Sequence, residues 1–127
     1  DGTQRLVDYN PMLNGILKRG DIYIVDEIER SIHPSVIKEL VRLVANDKNM
    51  KGQLVFSTHE TCLLDQEILR TDEIWFAQKD IHGSTELYSL SDFNVHSTAN
   101  VENGYLNGRY GGIPFMNELK ALHWDEK

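Results

Sequence analysis

Two short apolar runs in the chain are each followed at once by polar side chains. The run at residues 22–25 leads into Asp26 and Glu27, and the run at 54–56 leads into a Ser-Thr-His sequence that ends at His59. Runs of this length and composition predict strands that are buried on both faces, as in a parallel sheet. Ligands of open α/β sheets bind beyond the carboxyl ends of the strands. We therefore expect both polar clusters at one edge of one sheet.

The remaining pattern in the first half of the chain predicts alternating helices and strands. In order, the predicted elements are a helix over residues 3–18 that is interrupted or kinked near Asn10-Pro11, a strand at 22–26, a helix from Pro34 to about residue 45, a strand at 53–58 and a short helix over 62–68. Such alternation is typical of an α/β fold with a parallel sheet and right-handed crossovers.

The second half of the chain has a different pattern. Residues 73–78 and 86–90 predict two short strands of a β-hairpin with Gly83 in the turn. Residues 91–103 are polar and predict irregular structure, and residues 118–124 predict a last helix. Trp75 is expected to be a core residue on its strand. Three further aromatic residues are expected to be buried against the sheet: Tyr105, Tyr110 and Phe115.

Length and composition narrow the function classes. The 127 residues correspond to one domain at most, and a 40% apolar fraction is enough for a core. The net charge of −7 argues against a nucleic-acid-binding surface in this segment, because phosphate contacts need clustered Lys and Arg. No run reaches transmembrane length. The single cysteine, Cys62, is interpreted as a small apolar residue rather than a nucleophile.

The polar residues after the two strands are those that phosphate transfer requires. Asp26 is the candidate magnesium ligand, through water, because Mg²⁺ keeps several waters and takes few carboxylates. Glu27 is the candidate general base for an attacking water, and His59 is the candidate contact to the phosphate. Neighbouring strands lie about 4.8 Å apart, so the side chains of Glu27 and His59 should lie within roughly 15 Å. Glu29 and Arg30 are expected to be solvated loop charges.

These motifs resemble a known family. Residues 22–27 resemble the Walker B strand of an ABC-type ATPase head, with a catalytic glutamate after the metal-binding aspartate. Residues 57–59 resemble its switch-histidine strand, residues 30–34 its D-loop, and residues 1–5 the tail of its signature motif. The chain is most similar to the bacterial AAA-like ABC ATPases of phage-defence systems of the retron and Septu type. Three segments of the second half resemble that group: Ile74 to Phe76, Glu86 to Phe93 and Gly108 to Pro114.

The resemblance implies that residues 1–127 are the C-terminal part of a single ATPase domain. The implied fold is the parallel-sheet lobe of a P-loop NTPase, followed by a β-hairpin. A phosphate-binding loop of the form Gly-x-x-x-x-Gly-Lys-Ser/Thr is absent. The nearest match, Gly15 to Gly20, lacks the Lys and the Ser/Thr, and both glycines are interpreted as helix-end and turn residues. The phosphate-binding loop is therefore expected upstream, and the fragment alone is expected to be inactive.

The resemblance also implies ligands and partners. ATP and Mg²⁺ would bind between two heads of a homodimer or higher assembly, and Gly2, Thr3, Ser31 and His33 would help to bind nucleotide. His33 is expected at the dimer interface or at the helix start. Hydrolysis would control a nuclease or toxin effector in the cytoplasm.

Two other functions remain open on the sequence. The first is a metal-dependent phosphoesterase or nuclease with Asp26, Glu27 and His59 around Mg²⁺ or Mn²⁺, although the further Asp or His residues of a two-metal site are not evident. The second is a non-catalytic, ATPase-like interaction module. Arg109 allows an arginine-finger interpretation, but a packing role is favoured.

Overall fold

The computed structural model describes residues 2–113. The chain divides into two compact units, Asp1–Leu69 and Arg70–Lys127, and each is described by itself. Together they give a mixed α/β chain in which a two-stranded parallel sheet is followed by an antiparallel hairpin. None of the helices among the described residues is long and apolar enough to span a membrane.

The first unit is built around two parallel strands. Its elements in order are α1 (Gly2–Asn14), a π-helix (Gly15–Arg19), β1 (Ile22–Val25), α2 (Pro34–Asn46), β2 (Gln53–Phe56) and a 3₁₀ helix (Thr61–Leu63). The two strands pair in parallel with Ile22 opposite Gln53 and Val25 opposite Phe56. The predicted strand–helix–strand unit is therefore confirmed, whereas the predicted helix over 62–68 is reduced to one 3₁₀ turn.

The helix α2 forms because its apolar residues recur at helical spacing. Ile37, Leu40, Val41 and Val44 are buried, and charged residues occupy the opposite face. Pro34 is the first residue of the helix, where its missing N–H removes no hydrogen bond. The predicted helix start is confirmed. The sequence predicts one apolar stripe of five residues, Val36, Ile37, Leu40, Val41 and Val44, and burial is confirmed for all of them except Val36, which is 37% exposed.

The first helix does not break at Pro11, so the predicted interruption is wrong, whereas the alternative of a kink there stays a prediction. The helix α1 continues through Pro11, and the wider π-helical turns begin at Gly15. A proline removes one helical hydrogen bond, and burial of Tyr9, Met12 and Ile16 in the core offsets that loss. The helix ends at Gly20, whose φ of 85° is left-handed and whose N–H bonds to the carbonyl of Gly15. Gly20 is thus the turn glycine that the sequence predicts.

The parallel sheet is covered on one face, whereas the sequence predicts burial on both. Tyr23, Val25, Leu54 and Phe56 pack on a core to which α1 and α2 both contribute. On the other face, Ile22 is 67% exposed and Ile24 is 83% exposed. Because alternate residues of a strand point to opposite faces, helices packed on one face leave the second set uncovered. No described element of this unit packs on that face.

The second unit contains the predicted hairpin. Its elements are a 3₁₀ helix (Thr71–Glu73), β3 (Trp75–Lys79), β4 (Thr85–Ser89), a second 3₁₀ helix (Leu90–Asp92) and α3 (Val101–Leu106). The strands pair antiparallel with Phe76 opposite Tyr88. Gly83 lies in the connecting turn with a φ of 84°. The start of α3 at Val101 falls within the segment predicted as irregular, because Asn100 caps the helix by accepting the N–H of Asn103.

An aromatic cluster forms the core of the second unit. Phe76 stacks on Tyr105 and Tyr110 with ring centroids 5.5 and 6.1 Å apart, and Phe93 meets Tyr110 edge-on at 5.2 Å. Tyr110 is buried and Tyr105 is half-buried, as predicted. Trp75 is 61% exposed, so its predicted burial is wrong: it precedes Phe76 on β3 and therefore lies on the opposite face of the hairpin. Phe115 and the helix predicted at 118–124 lie outside the described residues.

The glycine-rich segment after α3 packs on the hairpin. The N–H of Gly112 donates to Oε1 of Gln78 at 2.9 Å, and the hydroxyl of Tyr88 donates to the carbonyl of Tyr110 at 2.6 Å. The Arg109 guanidinium lies 5.8 Å from the centroid of the Tyr110 ring. This last contact, with the ring of Tyr110, supports the packing interpretation of Arg109.

Candidate functional site

The parallel pairing continues beyond the carboxyl ends of the two strands. The N–H of Ser57 donates to the carbonyl of Val25 at 3.0 Å, and the N–H of Ile28 donates to the carbonyl of Ser57 at 3.1 Å. The ladder therefore carries the register of β1 and β2 into the two loops that follow them. Asp26 and Glu27 on one loop come to lie beside Ser57 on the other, at the sheet edge where the sequence predicts the site.

Ser57 connects the two loops through its side chain. Its Oγ accepts the backbone N–H of Glu27 at 2.9 Å, and its hydroxyl donates to the carboxylate of Asp26. Glu27 has a φ of 50°, a left-handed conformation that non-glycine residues seldom adopt. Such strain persists where surrounding bonds hold it in place, often at functional sites. The Ser57 hydroxyl is one of the groups that hold this turn.

The side chains of Glu27 and His59 approach each other at this edge. Nε2 of His59 lies 3.9 Å from Oε1 of Glu27, well inside the predicted 15 Å. The Glu27 side chain is 49% exposed and the His59 side chain is 86% exposed, so both can contact a ligand from solvent. A carboxylate that can accept a proton and an imidazole that can donate a hydrogen bond thus face the same space.

Glu29 is not the solvated loop charge that the sequence predicts. It is half-buried, and its Oε1 accepts the backbone N–H of His59 at 2.8 Å. Burial acts to raise the pKa of Glu29, but the His59 N–H acts against it, and the net effect is a lowered pKa. No periodic pattern marks this residue, because its partner is a main-chain group thirty positions away.

The positioning role of Ser57 is not predicted from the sequence, although the order of residues after the two strands could have indicated it. The strand register places Val25 opposite Phe56, and one further step places Asp26 opposite Ser57. A short polar residue immediately after one strand and a carboxylate immediately after its parallel neighbour are thus expected to meet.

His33 acts at the start of α2. Its Nδ1 accepts the backbone N–H of Ser35 at 3.3 Å and lies 2.8 Å from the Ser35 hydroxyl. A side chain that accepts from the first-turn N–H groups is a helix N-cap. The predicted role at the helix start is confirmed, and a role in a dimer interface stays a prediction. The neighbouring Ser31 is exposed and has a φ of 65°.

The remaining predicted nucleotide contacts lie elsewhere in the first unit. Gly2 and Thr3 are the first residues of α1, where backbone N–H groups have no helical acceptors. The resemblance implies a helix N-terminus here, and the structure has one. Contact of Gly2, Thr3 or Ser31 with a nucleotide stays a prediction.

The side chains at this edge fit a magnesium ion that takes most of its ligands from water and phosphate rather than from the protein. Among the described residues, no three His, Cys, Asp or Glu side chains are grouped to hold a metal. The exposed Asp26 carboxylate accepts the hydroxyl of Ser57. Mg²⁺ is commonly bound through one or two carboxylates together with waters and phosphates, so the site suits an ion that arrives with a phosphate ligand. It does not suit a two-metal centre built from protein side chains alone.

Comparison with known proteins identifies the family. A family model described as "AAA domain, putative AbiEii toxin, Type IV TA system" matches residues 1–65, just over half of the chain. This chain belongs to that AAA-domain family. The match covers the first unit up to the 3₁₀ helix and includes Asp26, Glu27 and His59. No curated protein matches the chain, and no solved structure does.

Proposed function

We propose that this AAA-domain chain contributes the water-activating and γ-phosphate-contacting half of an ATPase site. The observation that carries the proposal is the 3.9 Å approach of Glu27 and His59 at the carboxyl edge of parallel strands. Family membership supports a nucleotide as the ligand. We further propose that this site is of the ABC type, with residues 22–27 as its Walker B strand and His59 as its switch histidine.

Glu27 and His59 would share the work of hydrolysis. The Glu27 carboxylate orients a water molecule and accepts its proton while the water oxygen bonds to the γ-phosphorus. The bond from that phosphorus to the bridging oxygen breaks, and ADP leaves with the electron pair. The exposed imidazole of His59 donates a hydrogen bond to a γ-phosphate oxygen, where it stabilises the charge of the transition state.

Asp26 would hold the metal. Its carboxylate would bind Mg²⁺ through water, and the bound ion would neutralise charge on the phosphates. The Ser57 hydroxyl, which donates to this carboxylate, keeps one Asp26 oxygen directed toward β2. That contact restricts the orientations from which Asp26 can reach a ligand.

The phosphate-binding loop would come from the polypeptide upstream of these residues. The 127 residues contain no Gly-x-x-x-x-Gly-Lys-Ser/Thr sequence. The exposed face of the parallel sheet, with Ile22 and Ile24, offers apolar area that the rest of a P-loop domain would cover. We further propose that two such heads pair, with Gly2, Thr3, Ser31 and His33 directed toward the partner's nucleotide.

The family description suggests a biological setting. That description is of a putative AbiEii toxin of a type IV toxin–antitoxin system. We propose that ATP hydrolysis by paired heads controls a toxin or nuclease effector in such a system, including phage defence. Hydrolysis would separate the two heads and so signal to the effector.

The test uses the full-length protein that contains these residues. Glu27→Gln preserves the shape of the side chain but removes the proton acceptor, so phosphate release should fall by about 10²–10⁴-fold. Binding of a fluorescent ATP analogue should be retained. Glu67→Gln, at an exposed glutamate of the same unit, is the matched control and should retain wild-type turnover. Normal turnover by Glu27→Gln would remove Glu27 from the chemistry.

A phosphodiester-cleavage assay, run beside the ATP-binding and phosphate-release measurements, separates the two alternatives. A metal-dependent phosphoesterase would cleave a phosphodiester in the presence of Mg²⁺ or Mn²⁺ without nucleotide. An interaction module would neither bind nor hydrolyse ATP in the full-length protein. The 127-residue chain alone should not hydrolyse ATP, because the phosphate-binding loop supplies main contacts to the β- and γ-phosphates.

A further inference from the structure

The His59 imidazole has little packing to hold it. Its side chain is 86% exposed, so side-chain contacts do not fix the ring. The location of the ring then depends on where the His59 main chain is held and on two side-chain torsions. A group that anchors this peptide therefore limits the space that the imidazole can sample.

Glu29 provides such an anchor. Its Oε1 accepts the His59 N–H at 2.8 Å, and Glu29 itself lies on the loop that carries Asp26 and Glu27. A hydrogen bond to an ionised carboxylate is roughly twice as strong as one between neutral groups. The bond thus ties the histidine loop directly to the loop of the candidate base.

The contact runs in the opposite direction to that of Ser57. Ser57, which follows β2, accepts an N–H from the β1 loop, namely that of Glu27. Glu29, which follows β1, accepts an N–H from the β2 loop, namely that of His59. Each loop therefore supplies a side-chain acceptor for the main chain of the other. The two bonds therefore hold the main chain of both Glu27 and His59.

We propose that Glu29 is a positioning residue that sets the location of the His59 imidazole relative to the Glu27 carboxylate. Glu29 acts through the His59 peptide and does not touch the reacting atoms. The effect on hydrolysis rests on the proposed ATPase function, whereas the anchoring of the peptide does not.

The test compares three variants by amide hydrogen exchange. Glu29→Ala removes the acceptor, Glu29→Gln retains an oxygen that can accept the same N–H without charge, and Glu67→Ala is the control at an exposed glutamate. The His59 amide should exchange about tenfold faster or more in Glu29→Ala, and by a smaller factor in Glu29→Gln. The Ile28 amide, which bonds to the Ser57 carbonyl, should change little in either variant. Unchanged His59 exchange in folded Glu29→Ala, or an equal rise at Ile28, would overturn the proposal.

A second readout is phosphate release by the full-length protein. Glu29→Ala should lower kcat about tenfold or more with a small change in KM, because the misplaced imidazole affects the transition state more than binding. Glu29→Gln should recover part of that loss. Glu29→Ala with faster His59 exchange but full kcat would overturn the catalytic part of the proposal. Faster His59 exchange in a full-length protein without any ATPase activity would support the anchor and refute the proposed function.

Discussion

The hydroxyl of Ser57 accepts the backbone N–H of Glu27 at 2.9 Å, so a residue after β2 holds the turn after β1. The same hydroxyl donates to the Asp26 carboxylate. The Ser57 side chain thus satisfies both the N–H of Glu27, a residue in the left-handed conformation, and the carboxylate of the neighbouring Asp26. The turn that presents the two acidic side chains depends on this contact between neighbouring strands.

Ser57→Ala should loosen this turn. It removes one acceptor and one donor at an exposed position, so we expect a loss of about 0.5–1.5 kcal/mol in the free energy of unfolding. Urea unfolding followed by circular dichroism measures this loss. Ser57→Thr keeps the hydroxyl and should recover most of it, while Ser97→Ala at an exposed serine should cost almost nothing. Equal stability of Ser57→Ala and wild type would show that the hydroxyl does not hold the turn.

His33→Ala should weaken the start of α2. The imidazole accepts the Ser35 N–H, and loss of a helix N-cap typically costs about 1 kcal/mol. Asn at this position is a favoured cap, so His33→Asn should retain wild-type stability. The measurement is the denaturant midpoint of the three proteins. If His33→Ala and His33→Asn are equally destabilised, the ring contributes by some contact other than capping.

Gly52→Ala tests how closely two parts of the first unit approach. A Cβ at Gly52 would overlap the carbonyl oxygen of Asp21 and lie 3.0 Å from both Cα and the carbonyl oxygen of Ile16. These are main-chain atoms that cannot move aside as a side chain can. We expect a loss of about 2–3 kcal/mol, at the upper end for overpacking.

Gly20→Ala is the matched control for Gly52→Ala. Gly20 has a φ of 85°, but its nearest neighbour beyond the adjacent residues, the Lys51 carbonyl oxygen, is 3.6 Å from the added Cβ. Its cost should be limited to backbone strain of about 1–2 kcal/mol. A thermal unfolding curve for each variant gives the comparison. If Gly52→Ala proves at least as stable as Gly20→Ala, the close approach of Gly52 to the main chain of Asp21 and Ile16 would be contradicted.

The location of the site could be predicted because it follows from strand direction. Two apolar runs that end in polar residues, joined by a helix, imply parallel pairing, and parallel pairing places Glu27 and His59 at one edge. The buried positions of α2 could be predicted for a similar reason, since helical spacing determines which residues share a face. Both results follow from local periodicity and chain direction.

Other features depend on contacts that periodicity does not encode. Glu29 looks like any loop glutamate until the strand pairing brings the His59 peptide to it. Ile24 looks like a residue buried in a sheet, but its burial depends on which elements cover the second face. Trp75 is apolar and on a strand, yet the side of the hairpin that carries Phe76 forms the core. In each case the outcome depends on which distant parts of the chain pack against the residue, and the residue type alone does not identify them.

The ion pair between Lys38 and Asp65 gives a prediction about pH. Lys38 Nζ lies 2.9 Å from Asp65 Oδ2, and both side chains are partly exposed. The hydrogen bond from Lys38 is the largest of the effects that lower the pKa of Asp65 below its ordinary value of 3.8. A carboxyl group with a lowered folded-state pKa stabilises the fold above its unfolded pKa, and the stabilisation is lost as pH falls through the folded value.

Lys38→Met should therefore reduce stability at neutral pH but not in acid. At pH 7 we expect a loss of about 0.5–1 kcal/mol in the free energy of unfolding, because partly exposed pairs contribute little. The difference from wild type should be constant above the ordinary Asp65 pKa of 3.8 and shrink toward zero as the pH falls below it. Denaturant unfolding at a series of pH values measures the difference. Lys48→Met, at an exposed lysine of the loop after α2, is the control and should show no such dependence. A Lys38→Met difference that persists unchanged after Asp65 is protonated would have to come from lost packing of the lysine stem rather than from its charge.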